Sequence, residues 1–312
     1  MDKKIYLNSF YSASLAVFAP LFIWGNTLSH IPWIFQKLEM NNSTLGYLFM
    51  IFSVVQLVFS QLAGRVIVPK LGSRFSLVIG LIFFSSTPIF FVFSNSINLF
   101  LFAAVPAGIG FGIINTTATA VTSVAENKTN KILQTYYSAF FSMGMLLGGL
   151  CSGLYRYLEF NSYILFFILI LFGLISTLFV FNFGLKKQYD EIEKTEKFKI
   201  PENKLLIYSL YLFLFFATVT AIVDWAPLWF EKELLTSSLI ASLTIVSWFS
   251  GETISKFFGA ILIETFNEKI IGCYLPLSGA IIYLIIVFFG NYYLILIGLF
   301  VLGFTTANFV PI

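Results

Sequence analysis

Long apolar segments alternate with short polar or charged segments along nearly the whole chain. A helix needs roughly 20 mainly apolar residues to cross the hydrocarbon core of a membrane, so each apolar segment is predicted to be one spanning helix. The breaks between the segments carry turn or charge signals. Ten spanning helices are predicted, at residues 10–35, 44–63, 75–94, 98–123, 135–157, 160–183, 204–229, 237–258, 270–289 and 291–312.

One extended polar tract divides the chain into two parts. The tract Lys186–Lys204 alternates lysines with acidic residues and contains Pro201, a composition typical of a solvated linker. The predicted organisation is therefore a six-helix bundle at residues 1–184, a charged linker at 185–203 and a four-helix bundle at 204–312.

The composition is that of a membrane protein. Hydrophobic residues make up 58% of the 312 residues and charged residues only 11%, whereas soluble domains carry roughly 25% charged residues. The predicted fold class is an all-α polytopic membrane protein.

Most of the basic residues fall on one side of the predicted membrane. If the N-terminus is cytoplasmic, fifteen of the 18 lysines and arginines lie on the cytoplasmic side, and Lys37, Arg156 and Lys232 lie outside. Short cytoplasmic loops of membrane proteins carry an excess of basic residues. A cytoplasmic N-terminus and a cytoplasmic linker are therefore predicted.

A short basic segment, Gly64–Arg74, separates predicted helices two and three and is expected to be a tight surface loop. A weaker copy, Gly259–Lys269, follows helix eight at a shift of 195 residues. The two copies are an even number of helices apart, so the two halves are predicted to be parallel repeats. The same shift pairs residues in several helices: Pro32 with Pro227, Phe35 with Phe230, Lys37 with Lys232, Ser60 with Ser255 and Gly108 with Gly303.

The repeat indicates that the second half is shorter than the first. Ile312 corresponds to Thr117, which lies within helix four of the first half. We therefore expect six plus four helices where the repeat calls for six plus six. Either the chain is a fragment, or the protein works with ten spans.

These features resemble the major facilitator superfamily, and more closely its bacterial sugar-permease-like members of unassigned substrate. The resemblance covers the whole chain, with two departures. The basic hairpin is one residue longer than usual, and Val68 stands where the family has an acidic residue that helps to latch the two halves together. The residues that carry the resemblance are Trp24, His30-Ile-Pro-Trp33, Leu45-Gly46, Leu62-Ala-Gly64, Leu71-Gly-Ser-Arg74 and Asp224-Trp225.

The resemblance implies a two-bundle fold that moves a small polar organic solute, sugar-like or another metabolite, by alternating access. A proton is the expected coupling ion if transport is coupled. It also implies a multi-pass monomer in the inner (plasma) membrane, with the solute and the lipid bilayer as partners. No cofactor, metal or nucleic acid is expected.

Polar side chains within the predicted helices are the candidate site residues, because each costs free energy in hydrocarbon unless it is paired or faces water. In the family, helices one, four, seven and ten line a central cavity. The alternative for the neutral residues is helix packing, and for Asp224 it is a carboxylate at the membrane surface beside a tryptophan. The cavity candidates are Trp24, Asn26, Asn115, Thr119, Asp224, Trp225 and Asn308.

Glu252 and Lys256 lie four residues apart in helix eight, in the order that favours an ion pair on one helix face. The pair is predicted to be either structural, with Lys256 extending to the cytoplasmic surface, or a coupling site. Asp224 is the other coupling candidate.

Two further features have plain interpretations. His30, the only histidine, is interpreted as a surface residue, with a pH sensor as the alternative. The hairpin residues Gly64, Gly72 and Arg74 are interpreted as a topology marker, since basic residues hold such a hairpin on the cytoplasmic side.

The sequence carries no phosphate-binding or zinc-protease motif, and one histidine does not support a usual nucleophile–base pair. An enzyme is therefore not expected. Two alternatives to the transporter hypothesis stay open: a ten-helix drug/metabolite-type carrier with antiparallel halves, and a degenerate family fragment that does not transport.

Overall fold

The computed structural model describes residues 2–190, 203–267, 269–288 and 291–308. Most of the predicted linker, residues 191–202, lies outside the described residues. The described chain forms ten long helices, as predicted. They are α1 (Asp2–Lys37), α2 (Asn42–Leu71), α3 (Ser73–Phe93), α4 (Ile97–Thr129), α5 (Gln134–Tyr157), α6 (Ser162–Phe183), α7 (Asn203–Lys232), α8 (Ser238–Phe257), α9 (Ile270–Phe288) and α10 (Tyr292–Thr306).

Short polar side chains start the even-numbered helices after tight turns. The Asn41 side chain accepts a hydrogen bond from the Thr44 backbone N–H of α2 at 2.9 Å. Equivalent caps precede α6, α8 and α10, at Asn161, Ser237 and Asn291. Each cap satisfies a backbone donor that the first helical turn leaves without a partner.

Eight of the helices are long and apolar enough to cross a membrane, within the part of the chain that the structure describes. The two outside this group are α8, which carries Glu252 and Lys256, and α10, which has 15 described residues. Because α8 packs between α5 and α10, its polar side chains are shielded from lipid by protein.

We call α1–α6 the first half and α7–α10 the second half. In the first half, α4 packs against α2 and α3, and α1 packs against α5. Glycines permit these close contacts: a Cβ on Gly108 of α4 would lie 2.8 Å from the Phe52 carbonyl oxygen of α2. In the second half, Gly303 of α10 meets the Trp248 carbonyl oxygen of α8 in the same way. Glycines paired by the sequence repeat therefore make equivalent helix contacts.

The basic hairpin differs from the expected surface loop. The helix α2 continues through a π-helical turn at Ala63–Ile67 and ends only at Leu71, so eight residues of the expected loop belong to α2, and Ser73 and Arg74 belong to α3. The chain reverses at Gly72 alone, with a φ of 81° that glycine adopts without steric cost. The prediction of a loop at 64–74 was wrong because a helix keeps its backbone hydrogen bonds at the membrane surface, while its basic side chains extend into water.

We call the end of the bundle that carries Gly72 the hairpin end, and the end that carries Lys37 and Lys232 the opposite end. Near the hairpin end, α7 is poorly covered by protein: Leu205, Tyr208 and Phe213 are all more than half exposed. Near the opposite end, Leu228 and Phe230 of the same helix are buried. The two halves therefore pack most closely at the opposite end along α7.

Candidate functional site

A cavity of about 750 Å³ lies between the two halves. Helices α1 to α5 line it from the first half, with α3 contributing Phe84, and α7, α8 and α10 line it from the second. The lining includes Gln134 at the start of α5, Lys256 at the end of α8 and Thr306 at the end of α10. These three residues lie toward the hairpin end, so the cavity extends to that end of the bundle.

Aromatic side chains form one wall of the cavity. Trp24 of α1 stacks on Phe52 of α2, with ring centres 5.0 Å apart and an angle of 15° between the planes. Phe111 of α4 lies 6.1 Å from Phe52. Phe49 of α2 meets Trp225 of α7 edge to face at 6.2 Å. We call Trp24, Phe49, Phe52, Phe111 and Trp225 the aromatic wall. It offers flat apolar surfaces and π faces that attract cations.

Asp224 is the acidic residue of the cavity that lacks a cationic partner. Its side chain lines the cavity from α7, next to Trp225 of the aromatic wall. Among the described residues, no ion pair or hydrogen bond reaches its carboxylate. A carboxylate taken out of water costs free energy unless a cation, a hydrogen-bond donor or a proton compensates it. The structure therefore leaves a negative site in the cavity for such a group.

Glu252 and Lys256 form the ion pair that their spacing predicts. The Lys256 Nζ lies 2.5 Å from the Glu252 Oε1. The structural alternative also predicted that Lys256 extends to the cytoplasmic surface, and this part was wrong. The ammonium is held inside the protein, where it donates to the Ser142 hydroxyl at 2.9 Å and to the Ser138 carbonyl oxygen at 3.3 Å. These partners lie on α5, so Lys256 joins the two halves beside the cavity.

The neutral candidates divide into two groups. Asn115 and Thr119 of α4 line the cavity, as does Trp24 of α1. Asn26 is fully buried on the other side of α1, and its amide donates to the Phe22 carbonyl oxygen at 2.8 Å. Asn308 donates to the Ser255 hydroxyl at 2.9 Å, so it joins α8 to the end of α10.

An ion pair that the sequence did not reveal joins the halves at the opposite end. The guanidinium of Arg156, on α5, donates to both carboxylate oxygens of Glu231, on α7, at 2.8 and 2.9 Å. It also donates to the Ser29 carbonyl oxygen of α1 at 2.8 Å. Such bidentate pairs fix geometry as well as charge. The only signal in the sequence was the predicted position of Arg156 on the outer side of the membrane.

A second contact closes the same end. The Lys232 ammonium of α7 lies 3.3 Å from the centre of the Phe35 ring of α1. Together with the Arg156–Glu231 pair, this contact ties α7 to α1 and α5. The cavity is therefore closed at the opposite end, whereas it extends to the hairpin end.

His30 is not the surface residue that its place in the sequence suggested. Its side chain is fully buried in the first half, and its Nδ1 lies 2.5 Å from the Ser152 hydroxyl of α5. The Phe166 ring of α6 packs against the imidazole edge to face at 5.2 Å. The expectation was wrong because α1 lies in the centre of its bundle, where even its end is covered.

The hairpin residues lie outside the cavity. Gly72 provides the turn and Arg74 lies in the first turn of α3, while Gly64 lies within the π-helical turn of α2. Asp190, which follows α6, caps α3: its carboxylate accepts hydrogen bonds from the Ser73 backbone N–H at 2.6 Å and the Ser73 hydroxyl at 2.9 Å. Burial raises the pKa of the Asp190 carboxyl, against those two hydrogen bonds and the charge of Lys187.

The fold matches solved transporters along almost the whole chain. The human organic anion transporter MFSD10 gives a TM-score of 0.71 at 18% identity, covering 98% of this chain and 84% of that one. The nucleoside transporter NupG gives 0.72 at 12% identity, covering 97% and 80%. The D-xylose-proton symporter gives 0.66 at 13% identity, covering 97% and 81%. At these identities the similarity establishes the fold.

Two relatives from Bacillus subtilis (strain 168) match part of the sequence. Multidrug resistance protein 1 is 27% identical over 184 residues, which are 57% of this chain and 45% of that protein. Multidrug resistance protein 2 is 28% identical over 125 residues, which are 40% of this chain and 31% of that protein. The matched stretch thus spans less than half the length of each relative.

The family profile of the Major Facilitator Superfamily matches residues 13–312, and this match, with the ten-helix fold, confirms the predicted superfamily. It places the chain among membrane transporters and not among enzymes. It also argues against the ten-helix drug/metabolite-type alternative. The chain belongs to the Major Facilitator Superfamily.

Proposed function

We propose that the protein is a secondary active transporter that moves a small organic solute by alternating access. The observation that carries the proposal is the cavity between the halves, with the unpartnered carboxylate of Asp224 in it. Two halves that rock about a central site near the membrane midplane expose that site to each side in turn. Residues 1–184 and 204–312 are the proposed rocking units, and residues 185–203 are the proposed linker.

The proposed gate at the opposite end consists of the Arg156–Glu231 pair and the Lys232–Phe35 contact. Both join residues of different halves, so they must separate before the cavity can open at that end. The conformation described above is then the one that is open toward the hairpin end. With a cytoplasmic N-terminus, it is inward-facing.

The proposed solute combines a cationic group, an apolar or aromatic body and a few hydrogen-bonding groups. Asp224 supplies the negative charge, the aromatic wall supplies flat contact surface, and Asn115 and Thr119 supply neutral hydrogen-bonding groups. This chemistry favours an organic cation over a neutral sugar, because a cation neutralises the charge of the half-buried carboxylate, whereas sugar hydroxyls offer it only neutral hydrogen bonds, which are weaker. Two relatives are named multidrug resistance proteins, which supports a solute with apolar surface.

Proton coupling is proposed to act through Asp224. A cationic solute and a proton each neutralise the same carboxylate, so the two compete for it. Exchange of one for the other then links solute export to proton entry. Glu252 is the second coupling candidate, but its carboxylate already pairs with Lys256.

The remaining proposals concern the setting of the protein. We propose a multi-pass monomer in the inner membrane with its N-terminus in the cytoplasm. The basic residues Lys70, Arg74 and Lys187 all lie at the hairpin end, which supports a cytoplasmic position for that end.

The substitution Asp224→Asn tests the central residue. Asparagine keeps the size of the side chain and removes its charge. In proteoliposomes with an imposed pH gradient, transport of a lipophilic cation such as tetraphenylphosphonium is expected to fall at least tenfold, because a charged hydrogen-bond partner contributes about 1.5–3 kcal/mol. The matched control is Glu233→Gln, which removes a carboxylate from an exposed position outside the cavity lining and is expected to preserve cation transport.

Unchanged cation transport and unchanged pH dependence in Asp224→Asn would remove Asp224 from the mechanism. If the unaltered protein transports xylose and no organic cation, the substrate class is wrong while the transporter proposal stands. If it transports no cation, sugar or nucleoside after reconstitution in a folded state, the degenerate-fragment alternative is favoured.

A further inference from the structure

A small basic pocket lies at the hairpin end, outside the cavity between the halves. Its volume is about 200 Å³, and it is lined by Leu71, Arg74, Phe75, Lys186 and Lys187. Three of these five residues are cationic, and no carboxylate belongs to the lining. The other two are apolar and exposed, Leu71 at 43% and Phe75 at 50%. We call this feature the basic pocket.

The cations of the basic pocket are held in place by close backbone and ring contacts. A Cβ on Gly72 would lie 3.1 Å from the Lys187 Cβ, and a Cβ on Gly184 would lie 2.9 Å from the Arg74 Cγ. Lys187 also donates to the Lys70 carbonyl oxygen at 2.7 Å. These contacts fix the lysine and arginine stems, so their charges converge on one pocket.

The segment that carries the lysines is anchored at both ends. Leu185 is buried at 2% exposure, and Asp190 is bound to Ser73 by two hydrogen bonds. Because Asp190 is engaged in that cap, its carboxylate is directed to the start of α3. Lys186, between these anchors, is exposed, and no ion pair or hydrogen bond engages its side chain within the described residues.

The guanidinium of Arg74 has unused hydrogen-bonding capacity. Its Nε is buried and lacks a partner among the described residues, although a buried donor of this kind is normally satisfied. The Phe181 ring lies 5.7 Å from the Arg74 Cζ and covers one face of the guanidinium. The edge of the guanidinium that bears its N–H groups is the part suited to bind an anion with several oxygen atoms.

We propose that the basic pocket binds the phosphate of an anionic glycerophospholipid from the membrane leaflet at the hairpin end. Arg74, Lys186 and Lys187 hold the phosphate oxygens, and the exposed faces of Leu71 and Phe75 contact the first part of the acyl chains. The apolar residues favour a lipid over a free phosphate, because they border the positive groups on the side where α3 enters the hydrocarbon. The bound lipid clamps the segment after α6 onto the hairpin.

The test is binding of fluorescent phosphatidylglycerol to the purified full chain in detergent micelles, with phosphatidylcholine as the zwitterionic comparison. The variant Arg74→Gln/Lys186→Gln is expected to bind phosphatidylglycerol about 30-fold more weakly, from roughly fivefold per basic residue. The matched control, Lys131→Gln/Lys269→Gln, removes the same charge from exposed positions outside the pocket and is expected to change the affinity less than twofold.

Two single variants at Lys186 test the same site if Arg74→Gln/Lys186→Gln folds poorly. Lys186→Gln alone alters an exposed side chain and is expected to weaken binding about fivefold, whereas the charge-conserving Lys186→Arg is expected to retain it. Equal losses in the pocket and control variants would overturn the proposal in favour of general electrostatic attraction. Displacement of the lipid by equimolar inorganic phosphate would overturn it in favour of a soluble anion.

Discussion

At the residue scale, the side chain of Lys256 carries an unusual set of contacts for a lysine in a membrane protein. It is 8% exposed, and its ammonium binds Glu252 in its own helix and Ser142 in the other half. All three donors of the ammonium are therefore engaged, with the Ser138 carbonyl oxygen as the third acceptor. Loss of one partner leaves charge without full compensation in a shielded site.

The substitution Glu252→Gln is expected to lower the free energy of unfolding by about 1–3 kcal/mol, because it leaves the Lys256 ammonium without its counter-ion. Lys256→Gln is expected to cost a similar amount. The double variant Glu252→Gln/Lys256→Gln is expected to cost less than the two single losses combined, since neither charge then remains. Denaturant unfolding in mixed micelles measures all three.

The control for this cycle is Lys131→Gln, at an exposed position, which is expected to change stability by less than about 0.5 kcal/mol. Strict additivity of the two single substitutions would show that Glu252 and Lys256 do not interact in the folded protein.

Residue-level chemistry was partly readable in the sequence. The four-residue spacing predicted the Glu252–Lys256 pair, because it depends only on local helix geometry. The contacts of Lys256 with Ser142 and of Arg156 with Glu231 were not predictable, since they depend on which helices meet across the two halves. His30 was misjudged for the same reason: helix ends look alike in sequence, and only packing decides which of them are covered.

At the element scale, α5 occupies a central position because it contacts both halves. Gly148 faces the Phe22 carbonyl oxygen and the Asn26 backbone nitrogen of α1, and a Cβ there would lie 3.0 Å from that nitrogen. The next residue, Gly149, faces Ile245 of α8, at 2.9 Å from its Cγ2 by the same construction. Successive glycines thus allow α5 to approach helices on two sides.

Gly148→Ala is expected to destabilise the fold by about 1–3 kcal/mol, because the added methyl group meets backbone atoms that have no room to move. Gly46→Ala is the matched control, since no atom lies within 4 Å of a Cβ added there. It is expected to be neutral or slightly stabilising, because alanine favours the helix by up to about 1 kcal/mol over glycine. Equal effects of both substitutions on thermal inactivation would contradict the packing argument.

Helix existence was easier to predict than helix length. Within the described residues, each of the ten predicted segments forms a helix, because a long apolar segment in a membrane must satisfy its own backbone hydrogen bonds. The predicted helix ends were wrong where polar residues continue a helix beyond its apolar segment. The helix α1 begins at Asp2, whereas its predicted start was residue 10, and α4 continues to Thr129, whereas its predicted end was residue 123. The extension of α2 to Leu71 is the same effect, with a π-helical turn that no periodicity signalled.

At the scale of the whole molecule, the cavity is enclosed by two sets of helices that are joined differently at its two ends. At the opposite end, Arg156–Glu231 and Lys232–Phe35 tie α7 to the first half. Near the hairpin end, Lys256 contacts α5, while the start of α7 is exposed. In a rocking mechanism, each of the two end states is closed at one end of the cavity and open at the other. The asymmetry described here fits the state that is open at the hairpin end.

The sequence repeat predicted equivalent positions in the two halves, and one such pair, Gly108 and Gly303, makes similar close contacts with a neighbouring helix. It did not predict which conformation the halves adopt. That choice depends on a few contacts between the halves, each between residues far apart in the chain.

The central claim is that transport requires the halves to separate at the opposite end. The direct measurement is organic-cation transport by the variant Arg156→Cys/Glu231→Cys, in a Cys151→Ser/Cys273→Ser background, before and after a short cleavable crosslinker joins the two cysteines. The control pair, Lys37→Cys/Tyr163→Cys, lies at the same end but within the first half, where the Lys37 ammonium is 5.4 Å from the Tyr163 ring centre. We predict that crosslinking abolishes transport only in the first variant, and that reductive cleavage restores it. Undiminished transport by the crosslinked Arg156→Cys/Glu231→Cys protein would contradict the account.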